Sequence, residues 1–277
     1  MVDLIVVGAG VAGSSVARHA LAAGLNPIVV GSAYDRASDN ALCVMRAGWF
    51  DKDGLRTEAR YAAAYYRDCG AMVAETGLVS RAGKEPKLQA DYFGIDPWKP
   101  LVTPDVEARV VEVGDGSVTL DTGEKLAGAA VALCAGVGNV ELAGYAPKEL
   151  LWGSTGVFVN AFLPHPVRVH HFGPYSNIMA AQVGITVRIG SSKAPNPEQA
   201  RERLVAMVNK AREAGMLDGM PDDYSITTGR RVMPSGEPAT VRRVSDRVWT
   251  LAGLGRVGYA LSPARGQQLV AQVQAAL

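Results

Sequence analysis

Leu4-Ile5-Val6-Val7-Gly8-Ala9-Gly10-Val11-Ala12-Gly13-Ser14 is the stretch that decides the fold. Its four apolar, mostly β-branched residues read as a strand buried on both faces. Three glycines follow in the spacing G-x-G-x-x-G, and a helical run then begins, Ser15 to Ala23. Gly8 permits the tight turn and Gly10 lets the backbone approach a pyrophosphate. Gly13 lets the helix pack closely on the strand. The free N–H groups of the first helical turn then face the anion. A second strand, Pro27 to Val30, closes a β-α-β unit of about thirty residues, the context in which this spacing signals dinucleotide binding.

The totals bound the remainder. A chain of 277 residues makes one large or two modest domains. Its formal net charge of +1 excludes an overall basic field that would drive nucleic-acid or membrane binding, though not a local patch. Cys43, Cys69 and Cys134 are scattered and have no metal-ligand spacing, which fits a reducing cytoplasm. The apolar stretch at residues 4–7 lacks a basic region before it and the glycine turn interrupts it, so it does not read as a signal peptide. No run is long enough to cross a bilayer.

Where dinucleotide folds usually carry Asp or Glu for a ribose hydroxyl, the second strand ends in Gly31-Ser32. Ser32 offers one weaker bond, and Asp35 is close enough in sequence to reach back. The polar loop 35–42 carries Arg36, Ser38 and Asn40 and leads into Ala41-Leu42. It reads either as a wrap over a cofactor diphosphate or as a solvated surface loop.

Asp53 to Thr76 has helical periodicity, with Thr76-Gly77 as its stop. Residues 80–104 read as an irregular crossing with one strand, Ala90 to Ile95. Val106 to Val113, Ser117 to Asp121 and Glu124 to Leu126 read as a small antiparallel meander. Ala129 to Cys134 is another buried strand, ending in Ala135-Gly136, where a ligand could lie against the backbone. Cys134 reads as a small core residue rather than a nucleophile.

Gly156 to Phe162, Val167 to Phe172 and Gly184 to Ile189 read as strands of a separate antiparallel sheet. Pro195 to Ala214 reads as a helix capped by Asn196. His170 and His171, adjacent on a strand, point to opposite faces, so no metal site is expected. The second strong signal lies near the C-terminus. The strand Val248 to Ala252 runs into Gly253-Leu254-Gly255-Arg256-Val257-Gly258-Tyr259, and a helix follows through Leu277. This junction presents another helix N-terminus to a ligand.

These blocks, in this order, resemble the D-amino-acid oxidase superfamily of flavoproteins, and within it most closely glycine oxidase. The resemblance rests on Gly8 to Gly13, on Val131 to Gly136, and on Ala252 to Gly258 with Ser262 to Gly266. It also rests on the spacing of Arg230, Gly236 and Pro238. It implies an α/β fold, a Rossmann-type FAD-binding domain of the GR2-like kind with an inserted antiparallel-sheet substrate domain. The expected division gives 1–76, 105–150 and 227–277 to FAD, and 77–104 and 151–226 to the substrate. The cofactor positions carried over are Gly8, Gly10, Val11, Ala12, Gly13, Ser32, Arg36, Ser38, Asn40, Ala41, Leu42 and Val110. Ala135, Gly136, Gly253, Gly255, Arg256, Val257, Gly258 and Tyr259 complete them.

The chain is short for that family, mainly around residues 77–104, which implies an open substrate site. In the implied reaction a hydride passes from the carbon bearing nitrogen to flavin N5, and the imine hydrolyses to an oxo-acid and an amine. Arg230 is expected to clamp a substrate carboxylate, with Arg256 as a second anchor, while Arg231 reads as structural. The family's substrate-bordering tyrosine falls near Asn177 or Ile178, neither of them tyrosine, with Tyr175 close by but out of register. One further resemblance is to bacteriophage flavin enzymes that cleave a glycinyl thymine in DNA to aminomethyl uracil. It implies a basic rim, for which Arg60, Arg67, Arg81, Lys84, Lys87, Lys193, Arg242 and Arg243 are candidates. A non-catalytic flavin-binding module is the third reading.

Overall fold

The computed structural model describes residues 2–33, 36–51, 54–81, 83–173, 176–190 and 192–277. In chain order the first elements are β1 (Leu4–Val7), α1 (Val11–Ala22), β2 (Pro27–Gly31), β3 (Val44–Arg46), α2 (Arg56–Asp68), β4 (Met72–Arg81) and β5 (Lys84–Ile95). Next come β6 (Val106–Glu107), β7 (Val110–Gly114), β8 (Ser117–Leu120), β9 (Lys125–Ala127), β10 (Ala130–Leu133), α3 (Gly138–Leu142) and β11 (Glu149–Val159). The last are β12 (Val167–Gly173), β13 (Ser176–Val183), β14 (Thr186–Gly190), α4 (Pro197–Glu213), β15 (Ser225–Met233), β16 (Thr240–Ser245), β17 (Val248–Ala252) and α5 (Gly258–Gln274).

The chain forms two compact units: residues 1–39, 100–150 and 231–277, and residues 40–99 and 151–230. Residues 40–76 therefore belong with the second unit, not with the dinucleotide domain as expected. The reason is strand pairing. β3 is antiparallel to β5, and the Cys43 carbonyl accepts the N–H of Ile95.

The first unit is built on a six-stranded sheet of order β16-β17-β10-β1-β2-β6. Every pair in it is parallel except β16 with β17. All four residues of β1 and of β10 are buried, as befits parallel strands covered on both faces. Ile5, Val7, Val131 and Leu133 pack with Val118 and Leu120 of the β7–β9 meander. On the other face α1 and α5 lie together, where the Ser15 hydroxyl donates to the Ser262 carbonyl at 2.9 Å. The expected meander strand from Val106 to Val113 is two strands, because β6 joins the parallel sheet beside β2.

The second unit is an eight-stranded sheet of order β15-β11-β14-β13-β12-β4-β5-β3. One face buries Phe158, Ile178, Ala180 and Ile189 against Leu204, Val208 and Ala211 of α4. The Asn196 cap of α4 is as expected, its Oδ1 accepting the Gln199 N–H at 2.9 Å. The helix expected over 53–76 ends earlier. Gly70, at φ 64°, stops it, and Met72 and Val73 begin β4. Asp53 itself lies outside the described residues. The region expected to be an irregular crossing is the β4–β5 hairpin. Its long β5 hides from periodicity because Lys84 to Leu88 are all exposed. β13, not foreseen as a strand, completes the sheet between β12 and β14.

Candidate functional site

The first unit gathers its glycines at the carboxyl edge of the parallel sheet, where ligands bind in open α/β folds. Gly8, at φ 106°, turns the chain out of β1. A Cβ there would lie 2.5 Å from the Cys134 carbonyl oxygen at the end of β10. A Cβ on Gly13 would overlap the Gly8 carbonyl, so the start of α1 sits directly on the turn. Ser38 reaches this turn, its hydroxyl accepting the Val11 N–H at 2.9 Å. Ala12 follows Val11, buried in the first turn of α1.

Arg36 does not offer a bare charge. Its Nε and Nη2 bind both oxygens of Asp39, and Nη1 donates to the Ala9 carbonyl at 3.1 Å. These bonds brace the loop against the glycine turn. Asp35 lies outside the described residues. Ser32, next to Gly31, is half-exposed or more at the end of β2.

Ala135 and Gly136 follow β10 as expected. The residue that holds them, Asn139, was missed. It is fully buried, accepts the Ala135 N–H at 2.9 Å, and donates to the carbonyls of Leu133 and Leu251. It ties the ends of β10 and β17 together. A lone Asn in a short helix carries no sequence signal for that task. Cys134 is core, as expected, and burial pushes its thiol up to about 12.

The second glycine junction joins β17 to α5. Gly253 and Gly255 have φ of 69° and 49°, and the Gly255 N–H donates to Val232. Val257 and Gly258 start α5, and Tyr259 donates its hydroxyl to the Ser38 carbonyl at 3.3 Å. The two glycine-built junctions thus share one edge of one sheet. Val110, carried over as a cofactor contact, is buried in the core between that sheet and the meander.

The arginines part company with expectation. Arg230 is exposed, with its guanidinium 5.7 Å from the Trp152 ring centre. Its neighbour Arg231 points to the other side of β15, as alternation requires. Burial lowers the Arg231 pKa first, and the charge of Arg256 lowers it further. Within the first unit, the charge of Arg256 is thus felt at Arg231. Spacing alone could not distinguish two adjacent arginines.

In the second unit, Asn40 is tied down in its own unit. Its Nδ2 donates to the Thr228 carbonyl, and its carbonyl accepts the Thr155 hydroxyl at 2.8 Å. Ala41 and Leu42 lead from it into β3, Leu42 buried. Tyr175 lies outside the described residues. Asn177 pairs with His171, which pairs in turn with Arg81, so all three share the face opposite α4.

Burial lowers the His171 pKa most, followed by the charges of Arg81 and Arg46. Arg46 lies 5.1 Å from the Tyr92 ring centre, and its Nε is buried without a hydrogen-bond partner. Arg46, Arg81 and His171 come from three strands separated in sequence, which is why no motif announced them. Among the basic-rim candidates, Arg67 is neutralised by a two-point pair with Glu75, and Arg243 by Asp246. Arg242 donates to the Ala143 carbonyl. Arg60, Arg81, Lys84, Lys87 and Lys193 are exposed.

No family model matches this sequence, and no curated protein sequence matches it. Solved structures do. Iminodiacetate oxidase from Chelativorans sp. BNC1 is similar at 15% identity and a TM-score of 0.75, over 98% of this chain and 95% of that one. Glycine oxidase from Bacillus cereus is similar at 14% identity and a TM-score of 0.77, over 99% and 98%. L-amino acid deaminase from Proteus vulgaris is similar at 12% identity and a TM-score of 0.72, over 99% and 90%. The fold is the one the resemblance implied, a Rossmann-type α/β unit with a second sheet unit, except that this second sheet is mixed: β12 and β4 pair parallel in its middle. Among the described residues no helix is long and apolar enough to cross a membrane.

Proposed function

We propose that this protein binds FAD and oxidises the C–N bond of a glycine-like amine or amino acid. The observation that carries the reading is the pair of glycine-built strand-to-helix junctions at one carboxyl edge, Gly8 to Gly13 and Gly253 to Gly258. A dinucleotide alone needs only the first. FAD, when bound, supplies the two-electron acceptor for hydride from the substrate carbon.

The chain's own groups bind and orient. The first turn of α1 meets the pyrophosphate with backbone N–H groups. Arg231 and Arg256 clamp the substrate carboxylate, which fixes the C–H bond in direction and restricts its motion. No acid-base dyad is needed where the amine binds neutral, and none is assigned here. Water then splits the product imine into an oxo-acid and an amine. The fold neighbours include oxidases of iminodiacetate and glycine, which favours a small carboxylate-bearing amine as substrate.

An absorbance spectrum of purified protein tests the cofactor. Flavin bands are expected, and their absence both as purified and after adding FAD overturns the reading. Anaerobic bleaching by glycine, sarcosine or iminodiacetate tests the substrate class.

A second reading, a glycinyl group carried on thymine in DNA, is favoured by one feature. Arg81, Lys84 and Lys87 are exposed together on the β4–β5 hairpin, with Glu85 as the acid between them. Bleaching by a glycinyl-modified nucleoside or DNA, and by no free amino acid, selects it. A flavin that no amine bleaches, with Arg231→Ala silent, selects a binding module without catalysis.

A further inference from the structure

The adenosine half of the cofactor poses a problem that the fold itself answers. Gly31 stands where an acid normally receives the ribose hydroxyls, and the glycine turn packs close against it. A Cβ on Gly31 would lie 3.0 Å from the Ala9 nitrogen and 3.3 Å from the Gly8 Cα. The glycine turn presses against the end of β2 and leaves it bare.

The neighbouring strand supplies a carboxylate at the same level. β6 is parallel to β2, with Gly31 opposite Glu107, and each is the last residue of its strand. The register is fixed one step earlier by Asp105. Its Oδ2 accepts the Val29 N–H at 2.7 Å, and its own N–H donates to the Val29 carbonyl at 2.9 Å. Asp105 is thus spent on alignment, whereas Glu107 is exposed. Directly opposed residues of a sheet point to the same face, so Glu107 projects on the side where a residue-31 side chain would stand. Strands lie about 4.8 Å apart, and a glutamate reaches that far.

We propose that Glu107 replaces the missing acid and accepts hydrogen bonds from the adenosine ribose hydroxyls of FAD. The inference rests on the FAD reading above. It assigns to β6 a task that dinucleotide folds otherwise give to the end of β2. A carboxylate accepting from a hydroxyl is a charge-assisted bond, so its loss is expected to weaken binding about ten-fold or more.

The test is a titration of apoprotein by quenching of flavin fluorescence. Glu107→Ala should raise the Kd for FAD about ten-fold or more, and Glu107→Gln by less, because the amide keeps an accepting oxygen. FMN, which has no adenosine, should bind wild type and both variants alike. Competition by ADP and by 2′,3′-dideoxy-ADP reads the contact directly. Wild type should prefer ADP, and Glu107→Ala should lose the preference.

Glu124→Ala, an exposed acid on the meander, serves as the charge control. Coincident thermal melts of the apo forms separate binding from folding. A Kd for FAD in Glu107→Ala within two-fold of wild type, or an unchanged preference for ADP, overturns the inference while leaving the FAD reading intact. Failure of the wild type to bind FAD overturns both.

Discussion

The carboxyl edge of the first unit's sheet is shaped by backbone: helix starts, and turns that only glycine can make. The second unit instead sets polar side chains on one face of its sheet, among them Arg81, His171 and Asn177. The two designs tolerate change differently. A backbone site has no atom to spare, since a single added methyl collides with a carbonyl. A side-chain site can lose one member and keep its shape. Sequence divergence should therefore preserve the first and rewrite the second, which suits a fold shared at 12–15% identity with enzymes of several substrates.

The sharpest way to break this contrast is Gly13→Ala. Its Cβ overlaps the Gly8 carbonyl, so α1 must move off β1. We expect loss of co-purifying flavin and destabilisation of about 2 kcal/mol or more, read by absorbance and by denaturant melts. Retention of both would show that the turn has slack. Next in size is Arg231→Ala, expected to lower kcat/KM for a carboxylate-bearing amine about a hundred-fold, with Arg231→Lys recovering only part of it. Arg230→Ala should cost less than about ten-fold. The reverse order in steady-state kinetics would return the clamp to Arg230.

A smaller effect is expected from pH. Burial lowers the pKa of His19, His170 and His171 in the folded protein. The unfolded chain then binds protons first, so stability is full above the unfolded value near 6.5 and declines as pH falls below it. Thermal melts at pH 7.5 and 5.5 should show a lower Tm at the lower pH, and a flat profile would contradict the assignment. Smallest is thiol chemistry. Cys134, raised to about 12 and buried, should resist alkylation of the native protein at pH 8, whereas half-buried Cys69 should react first.

The same contrast explains what could be read from the chain itself. Gly8, Gly13 and Gly253 carry their task in their identity, because no other residue fits, so the dinucleotide edge and the fold class were legible. β1, β2 and β17 follow expectation closely, whereas α1 and α5 each begin four residues earlier than expected, at Val11 and Gly258, and α5 ends at Gln274 rather than Leu277. β5 was not legible over Lys84 to Leu88, because an exposed strand end lacks alternation. Arg46, Arg81 and His171 meet only through strand register, and register across β3, β5, β4 and β12 leaves no local pattern. Arg230 and Arg231 differ by one position, and only the pleat of β15 puts them on opposite faces.

Asn139 carries a consequence for assembly. Its bond to the Leu251 carbonyl joins groups 112 positions apart in the chain. The end of β10 is therefore finished only after β17 has docked, and Ala135 and Gly136 gain their fixed shape late. Contacts of such long sequence separation slow folding and delay the last steps. A nascent chain would carry its first glycine turn complete long before the matching edge existed to receive a ligand. If FAD binds as proposed, free FAD is expected to favour the final docking of β17 rather than the nucleation of the fold.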